Sequence, residues 1–190
     1  MLVDVSRHFQ PIPLLKRCID ALEASKMNVL HLHLTDSQSF PVLFNDVRRK
    51  ESEPMATSTS TSTFNIERNH SSSVLELSKL ARNGSFCADK IYTLDDLRDL
   101  VAYGLDRGVE LIPEIDMPAH ALSWGAGFPS IVVNCKRTAS AAQTPHNIYP
   151  LDPSNPLTLE IADAVLTQIA QVFPSKFLHI GGDEVSLGLY

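Results

Sequence analysis

Near its carboxyl end the chain reads Phe177-Leu178-His179-Ile180-Gly181-Gly182-Asp183-Glu184-Val185. Neighbouring residues on a regular strand point to opposite faces, so two adjacent carboxylates serve one pocket only where the strand has ended and the backbone turns. Gly181 and Gly182 permit such a turn and let a ligand come close to the backbone. An acid pair at that place suits protonation of a leaving group by one carboxyl beside a second charged or orienting group. Arg7, Asp36, Asp116 and His120 stand at or just beyond the ends of other apolar runs. His31-X-His33 followed by Asp36 has two readings. It fits the ligand spacing of a barrel metallohydrolase, and it also fits histidines packed inside a barrel and satisfied by hydrogen bonds.

These side chains need a scaffold that gathers strand ends on one face. Leu2 to Arg7 reads as a short strand. Pro13 to Ser25 reads as a helix with Leu15, Ile19 and Leu22 at helical spacing, and Cys18 falls on the same stripe. Asn28 to Thr35 alternates strictly, with Leu30, Leu32 and Leu34 on one side and His31, His33 and Thr35 on the other. Thr93-Leu94-Asp95-Asp96 opens a helix through Arg107 by a capping box, and Gly108 stops it before a strand from Val109 to Asp116. Asn155-Pro156 starts a helix to about Phe173 that uses Leu159, Ala162, Val165, Leu166 and Ile169, and Phe177 to Gly181 is a fourth strand. Strand-helix alternation of this kind predicts a parallel α/β sheet. The ionisable strand ends favour the (β/α)8 TIM-barrel type, with the first four βα units present.

Two stretches break the alternation. Residues 51 to 73 carry a run of alternating Ser and Thr, too polar to order themselves, and read as an insertion. Pro118 to Pro153 is a long loop containing Trp124, the only tryptophan, close to His120. A loop of that length inside a compact domain points to function.

With 190 residues, 44% of them hydrophobic, the chain is expected to form one core and one domain over residues 1 to 190. A net charge of −6 argues against a nucleic-acid partner and supplies no polybasic membrane surface. No window approaches the roughly 20 apolar residues of a membrane span. Met1 to His8 reads as a strand rather than a charged-then-apolar leader. Cys87 and Cys135 fall in loops and could pair, but three cysteines without regular spacing make no disulfide framework. Asn69-His70-Ser71 and Asn83-Gly84-Ser85 are N-glycosylation patterns that support a secretory route weakly.

Four blocks in order carry a resemblance. They are Asp4-Val5-Ser6-Arg7-His8-Phe9; Asn28 to Pro41 with its His31-Leu32-His33-Leu34-Thr35-Asp36 core; Glu114-Ile115-Asp116-Met117-Pro118-Ala119-His120 with Ser123-Trp124-Gly125; and His179 to Val185. Together the sequence resembles the β-N-acetylhexosaminidases of glycoside hydrolase family 20 over nearly all of the chain except about residues 45 to 75. The resemblance implies a retaining hydrolysis in which the substrate's own 2-acetamido oxygen is the nucleophile. It implies that Glu184 is the general acid and that Asp183 orients the acetamido group and stabilises the oxazolinium-like intermediate. Asp36 and His120 would form a hydrogen-bonded pair that reaches the acid. Arg7 would grip hydroxyls of the terminal sugar with its forked donors, and Trp124 would line the pocket.

The implied partner is a glycoside of terminal N-acetylglucosamine or N-acetylgalactosamine, with no metal, no organic cofactor and a homodimer as the family's assembly. The implied compartment is lysosomal or secreted. Two residues depart from the family pattern. Ser37 stands where a second aspartate is usual, and Ala119 stands where glycine is usual, which predicts strain in the turn presenting His120. The resemblance also implies that four further strands and a preceding small α/β domain lie outside this sequence. Two rival readings therefore stand beside the glycosidase. One is an inactive fragment or pseudoenzyme that binds sugar or a partner, and the more distant one is a metal-dependent hydrolase.

Overall fold

A computed structural model describes residues 1–49, 74–133 and 149–185. The Ser/Thr-rich stretch at 51–73, with Asn69, and Cys135 lie outside the described residues.

Three strands form the central parallel sheet in the order β1 (Leu2–Asp4), β2 (Val29–Thr35) and β7 (Glu110–Ile115). The register pairs Asp4 with His33 and His33 with Glu114, and it shifts between His33 and Thr35. Strand β1 is shorter than the expected run to Arg7. The Asp4 carboxylate accepts the backbone N–H groups of Ser6 and Arg7 at 3.0 and 2.9 Å, which bends the chain out of the ladder.

The expected fourth strand lies where predicted, beside β7, but pairs only through a single parallel bridge between Glu114 and His179. His179 donates to the Pro113 carbonyl and accepts from Ile115, each at 3.0 Å. The ladder cannot extend towards Phe177, because Pro113 has no N–H to offer the carbonyl of Phe177. Forward, Met117 N still donates to Ile180 O at 3.0 Å, but regular ladder pairing stops there because Gly181 has turned into the left-handed region at φ 68°.

Helices α1 (Ile12–Ala24) and α3 (Leu94–Leu105) cover one face of this sheet. Leu15, Ile19 and Leu22 from α1, Leu97, Leu100 and Val101 from α3, and Leu30, Leu32, Leu34, Leu111 and Ile115 from the strands are all buried there. Cys18 lies at the flank of the α1 stripe and is only half-buried. The capping box forms as read: Thr93 Oγ1 accepts from Asp96 N at 3.1 Å, and Thr93 N donates to Asp96 Oδ2 at 2.8 Å.

Helix α5 (Pro156–Val172) starts where Asn155 Oδ1 accepts from Leu157 N at 3.0 Å. Its buried face includes Val165 and Ile169 as expected but departs from the rest of the expected row. Leu159 is 63% exposed, and the inward row is Thr158, Ile161, Val165, Gln168, Ile169 and Val172. The rotation brings in Gln168, whose amide accepts from Asn45 N and donates to Asn45 O, both at 2.9 Å. A buried amide is thus satisfied on this face, where apolar spacing alone places Leu159, Ala162 and Leu166.

Shorter elements, not anticipated from periodicity, build the rim. Strand β3 (Val42–Leu43) pairs in parallel with β6 (Tyr92–Thr93), and β4 (Val47–Arg48) pairs antiparallel with β5 (Val74–Leu75). Helix α2 (Ser78–Gly84) packs on α4 (Leu122–Gly127), which lies within the stretch read as a long loop. No helix among the described residues is long and apolar enough to cross a membrane.

Candidate active site

The alternation of β2 that sends its leucines to the helices sends His31, His33 and Thr35 to the opposite face. Register matches this face with Asp4 on one side and Glu114 on the other, and Glu114 is bridged in turn to His179. A row of ionisable residues therefore crosses the strands where a barrel interior is ordinarily filled by branched apolar side chains. Beyond this row, at the carboxyl ends of the strands, lie Arg7, Asp36, Asp116, His120, Asp183 and Glu184.

Asp36 is the hub and is fully buried. Its carboxylate meets the Arg7 guanidinium at 2.5 Å, His33 Nε2 at 3.1 Å, His120 Nδ1 at 3.3 Å and the backbone N–H of Ser37 at 2.5 Å. Burial opposes its charge, but the His33 hydrogen bond, the Ser37 N–H and the positive charges of Arg7 and His120 outweigh burial. Together they hold the carboxyl below the usual aspartate range. Its main-chain oxygen accepts from Ser123 Oγ at 2.5 Å, which ties the hub to α4.

His120 bridges the hub to the acid pair. Its side chain is 3% exposed, and Nε2 lies 3.1 Å from Glu184 Oε2 and 3.5 Å from Asp183 Oδ2. Those contacts are off the hydrogen-bonding line, so Nε2 has no hydrogen-bond partner among the described residues. The turn that presents His120 is strained, though not at Ala119. Ala119 is buried with ordinary backbone, and His120 itself takes the left-handed conformation at φ 55°.

The acid pair sits on a left-handed run, Gly181 at φ 68°, Gly182 at 102° and Glu184 at 53°. A Cβ on Gly181 would lie 1.7 Å from Asp116 Oδ1, so glycine is required there by contact as well as by φ. Gly182 N donates to Asp116 Oδ1 at 3.3 Å. Asp116 is pushed up to about 6 by burial and by the charge of Asp183, against the opposing pull of the Gly182 N–H. Asp183 and Glu184 themselves are 64% and 59% exposed at the side chain.

Two expected ligand contacts look different in place. Arg7 is already engaged, donating to Asp4 Oδ2 at 2.7 Å as well as meeting Asp36, and its side chain is 39% exposed. Trp124 is fully buried and packs edge-on against Phe40 at 5.2 Å, so its indole forms core beneath the site rather than a wall open to a ligand. Sequence reading named Asp116 among the ionisable strand ends and Glu114 and His179 within the motif blocks, but gave none of the three a role. The signal was present in the parity of β2, where the residues opposite the buried leucines are all polar or ionisable.

Three groups of donors converge within 4.8 Å: His31, Glu114 and His179; His33, Asp36 and Asp116; and Asp116, His120 and Asp183. Each contains an imidazole at ion-pair distance from a carboxylate. A cavity of about 550 Å³ lined by Asn45, Arg49, Glu160 and Gln168 shares no residue with the acidic cluster. The cluster can deliver a proton from a carboxyl that adjoins a histidine backed by a buried aspartate, with a second carboxylate beside it.

The model for the glycosyl hydrolase family 20 catalytic domain matches residues 1–190. Beta-hexosaminidase 3 of Arabidopsis thaliana is 33% identical over 190 residues, covering 98% of this chain and 27% of that protein. Beta-hexosaminidase subunit beta of Homo sapiens is 31% identical over 185 residues, covering 97% of this chain and 27% of that one. The chain thus spans about a quarter of the length of these curated relatives. Among solved structures, the chitobiase of Flavobacterium johnsoniae superposes with a TM-score of 0.70 at 31% identity, over 97% of this chain and 23% of that chain. A mutant Streptomyces plicatus beta-hexosaminidase in complex with product GlcNAc gives 0.69 at 28% identity, over 96% and 32%. With four motif blocks folded onto one face and a family match from end to end, the chain belongs to glycosyl hydrolase family 20.

Proposed function

We propose that the protein carrying this chain hydrolyses terminal, non-reducing N-acetyl-D-hexosamine residues from β-N-acetylhexosaminides, with retention at the anomeric carbon. The observation that carries this reading is the path from buried Asp36 through His120 to the adjacent Asp183 and Glu184. In the reaction, Glu184 gives its proton to the glycosidic oxygen while the substrate's acetamido oxygen attacks the anomeric carbon. Asp183 accepts the acetamido N–H and offsets the positive charge of the oxazolinium ion. Water then opens that ring as Glu184 takes back a proton. His120, backed by Asp36, sets the orientation and protonation of Glu184. Arg7 presents its remaining guanidinium donors to sugar hydroxyls. Trp124 supports α4 and the Asp36 loop from below.

The parallel order of β1, β2, β7 and the His179 segment supports placing them as the first four strands of a (β/α)8 barrel, with the site at its carboxyl face. The ligand would be an N-acetylglucosaminide or N-acetylgalactosaminide, and the family's homodimer and its lysosomal or secreted setting are proposed with it.

The test is turnover of a chromogenic N-acetylglucosaminide by the whole protein beside Glu184→Gln. Loss of roughly 10²–10⁴-fold in the variant is expected for removal of a general acid. A parent without turnover, or a variant with full turnover, overturns the proposal.

A further inference from the structure

The row Asp4, His33, Glu114, His179 lies outside the roles given to the acid pair, and it holds an imidazole with a carboxylate at each ring nitrogen. His33 Nε2 faces Asp36 at 3.1 Å, and His33 Nδ1 faces Glu114 Oε2 at 3.1 Å, with the His33 side chain 8% exposed. A neutral imidazole carries one N–H, so its other nitrogen would meet a carboxylate lone pair to lone pair in a largely buried site.

The proton cannot easily reside on either carboxyl instead. Asp36 accepts from Ser37 N and meets Arg7, interactions that favour its ionised form. Glu114 also stands beside His31 Nε2 at 2.6 Å and His179 Nδ1 at 3.2 Å. His179 Nδ1 already accepts the Gly181 N–H at 3.0 Å, so it is a poor donor to Glu114. His31 Nε2 lacks hydrogen-bond geometry. His33 is thus left as the donor to both carboxylates.

We infer that His33 is a permanent imidazolium that clamps Asp36 to Glu114, and that it is a positioning residue for the Asp36–His120 pair. This rests on the proposed glycosidase reading for its catalytic part alone. The charged and titratable groups about His33 are Asp4 from β1, Glu114 from β7, Asp116 just beyond the end of β7, and Asp36 from the loop after β2, with Arg7 and His120 on the far side of Asp36 and His31 and His179 on Glu114. The two carboxylates at hydrogen-bond distance from its ring nitrogens, with Asp4 and Asp116 behind them, favour a positive charge at this place. In agreement, burial would lower the His33 value, but the hydrogen bonds to Asp36 and Glu114 outweigh it and push it up to about 10. Removing the clamp leaves Asp36 held by Arg7 and the Ser37 N–H, without the His33 contact that helps fix its Oδ2 and with it the aim of Oδ1 at His120 Nδ1.

Two measurements on the whole protein decide the matter. The first is ring-nitrogen NMR of ¹⁵N-histidine protein, with His33 assigned by its loss in His33→Gln. Both His33 nitrogens should stay protonated from pH 5 to 8, and a His33 signal that titrates or shows one neutral tautomer overturns the inference. This readout needs no enzyme activity, so it stands or falls apart from the glycosidase proposal. The second is kinetics of His33→Gln under conditions where it is folded by circular dichroism. A fall in kcat of about ten- to a hundredfold with little change in KM, and a displaced pH–rate profile, is expected for a misplaced proton relay. An unchanged profile with kcat near the parent's overturns the positioning role.

Discussion

Replacing Gly181 by alanine is the sharpest perturbation the structure offers. The residue takes φ 68°, and a Cβ there would meet Asp116 at 1.7 Å to Oδ1 and 2.4 Å to Cγ, far inside any real contact. Forcing an L-residue into the left-handed region costs roughly 1–2 kcal/mol. Making room beside buried Asp116 adds about 1–3 kcal/mol, as other overpacked positions do. Gly108 provides the control, with φ 69° and nothing within 4 Å of its added Cβ. Gly108→Ala should therefore cost only the backbone part, roughly 1–2 kcal/mol, and leave turnover unchanged. The difference between the two variants in chemical denaturation isolates the clash. In activity, Gly181→Ala displaces Asp116 or the Asp183–Glu184 turn by the order of an ångström, which is expected to lower turnover about a hundredfold. Equal stability losses in the two variants, with hydrolysis retained in Gly181→Ala, would refute the argument that this contact positions the acid pair.

Asp116 should leave a signature in stability against pH. Its value is raised from 3.8 to about 6, so its contribution is fully present below 3.8 and is lost as pH rises through 6. At about 1.4 kcal/mol per tenfold change in proton affinity, that is on the order of 2–3 kcal/mol. Asp116→Asn should accordingly lose less stability than the parent between pH 4 and 7, and parallel denaturation profiles for the two would contradict it. Thr93→Ala removes the side-chain half of the α3 capping box, and a loss of about 1 kcal/mol with unaltered KM is expected.

How much of this was legible beforehand varied by element. Helices α1 and α3 announced themselves through spacing and capping, since both signals are local and survive without a partner. Helix α5 was found by its Asn155-Pro156 start and its Val165 and Ile169 are buried as read, but Gln168 was missed, because its partner Asn45 is 123 positions away in the chain. The fourth strand shrank to one bridge because its neighbour offers Pro113 at the needed register, and register is not visible in either segment alone. Trp124 drew attention by its neighbourhood in sequence and proved to be core, since only the packing of α4 on α2 shows which way its ring turns.

By itself the sequence determined which groups are present and which local conformations they favour. Two glycines allow a left-handed turn, adjacent acids follow it, and a strand alternates leucine with histidine. Tertiary structure alone decided which of these groups share a charge. Asp36 and His120 are 84 residues apart and meet at 3.3 Å, while His33 and Glu114 are brought together by strand register across a single step of the sheet. The physical reason is that burial, which removes water as the competing partner, exists only once strands and helices have packed. Until then each carboxylate and imidazole here would titrate close to its ordinary value.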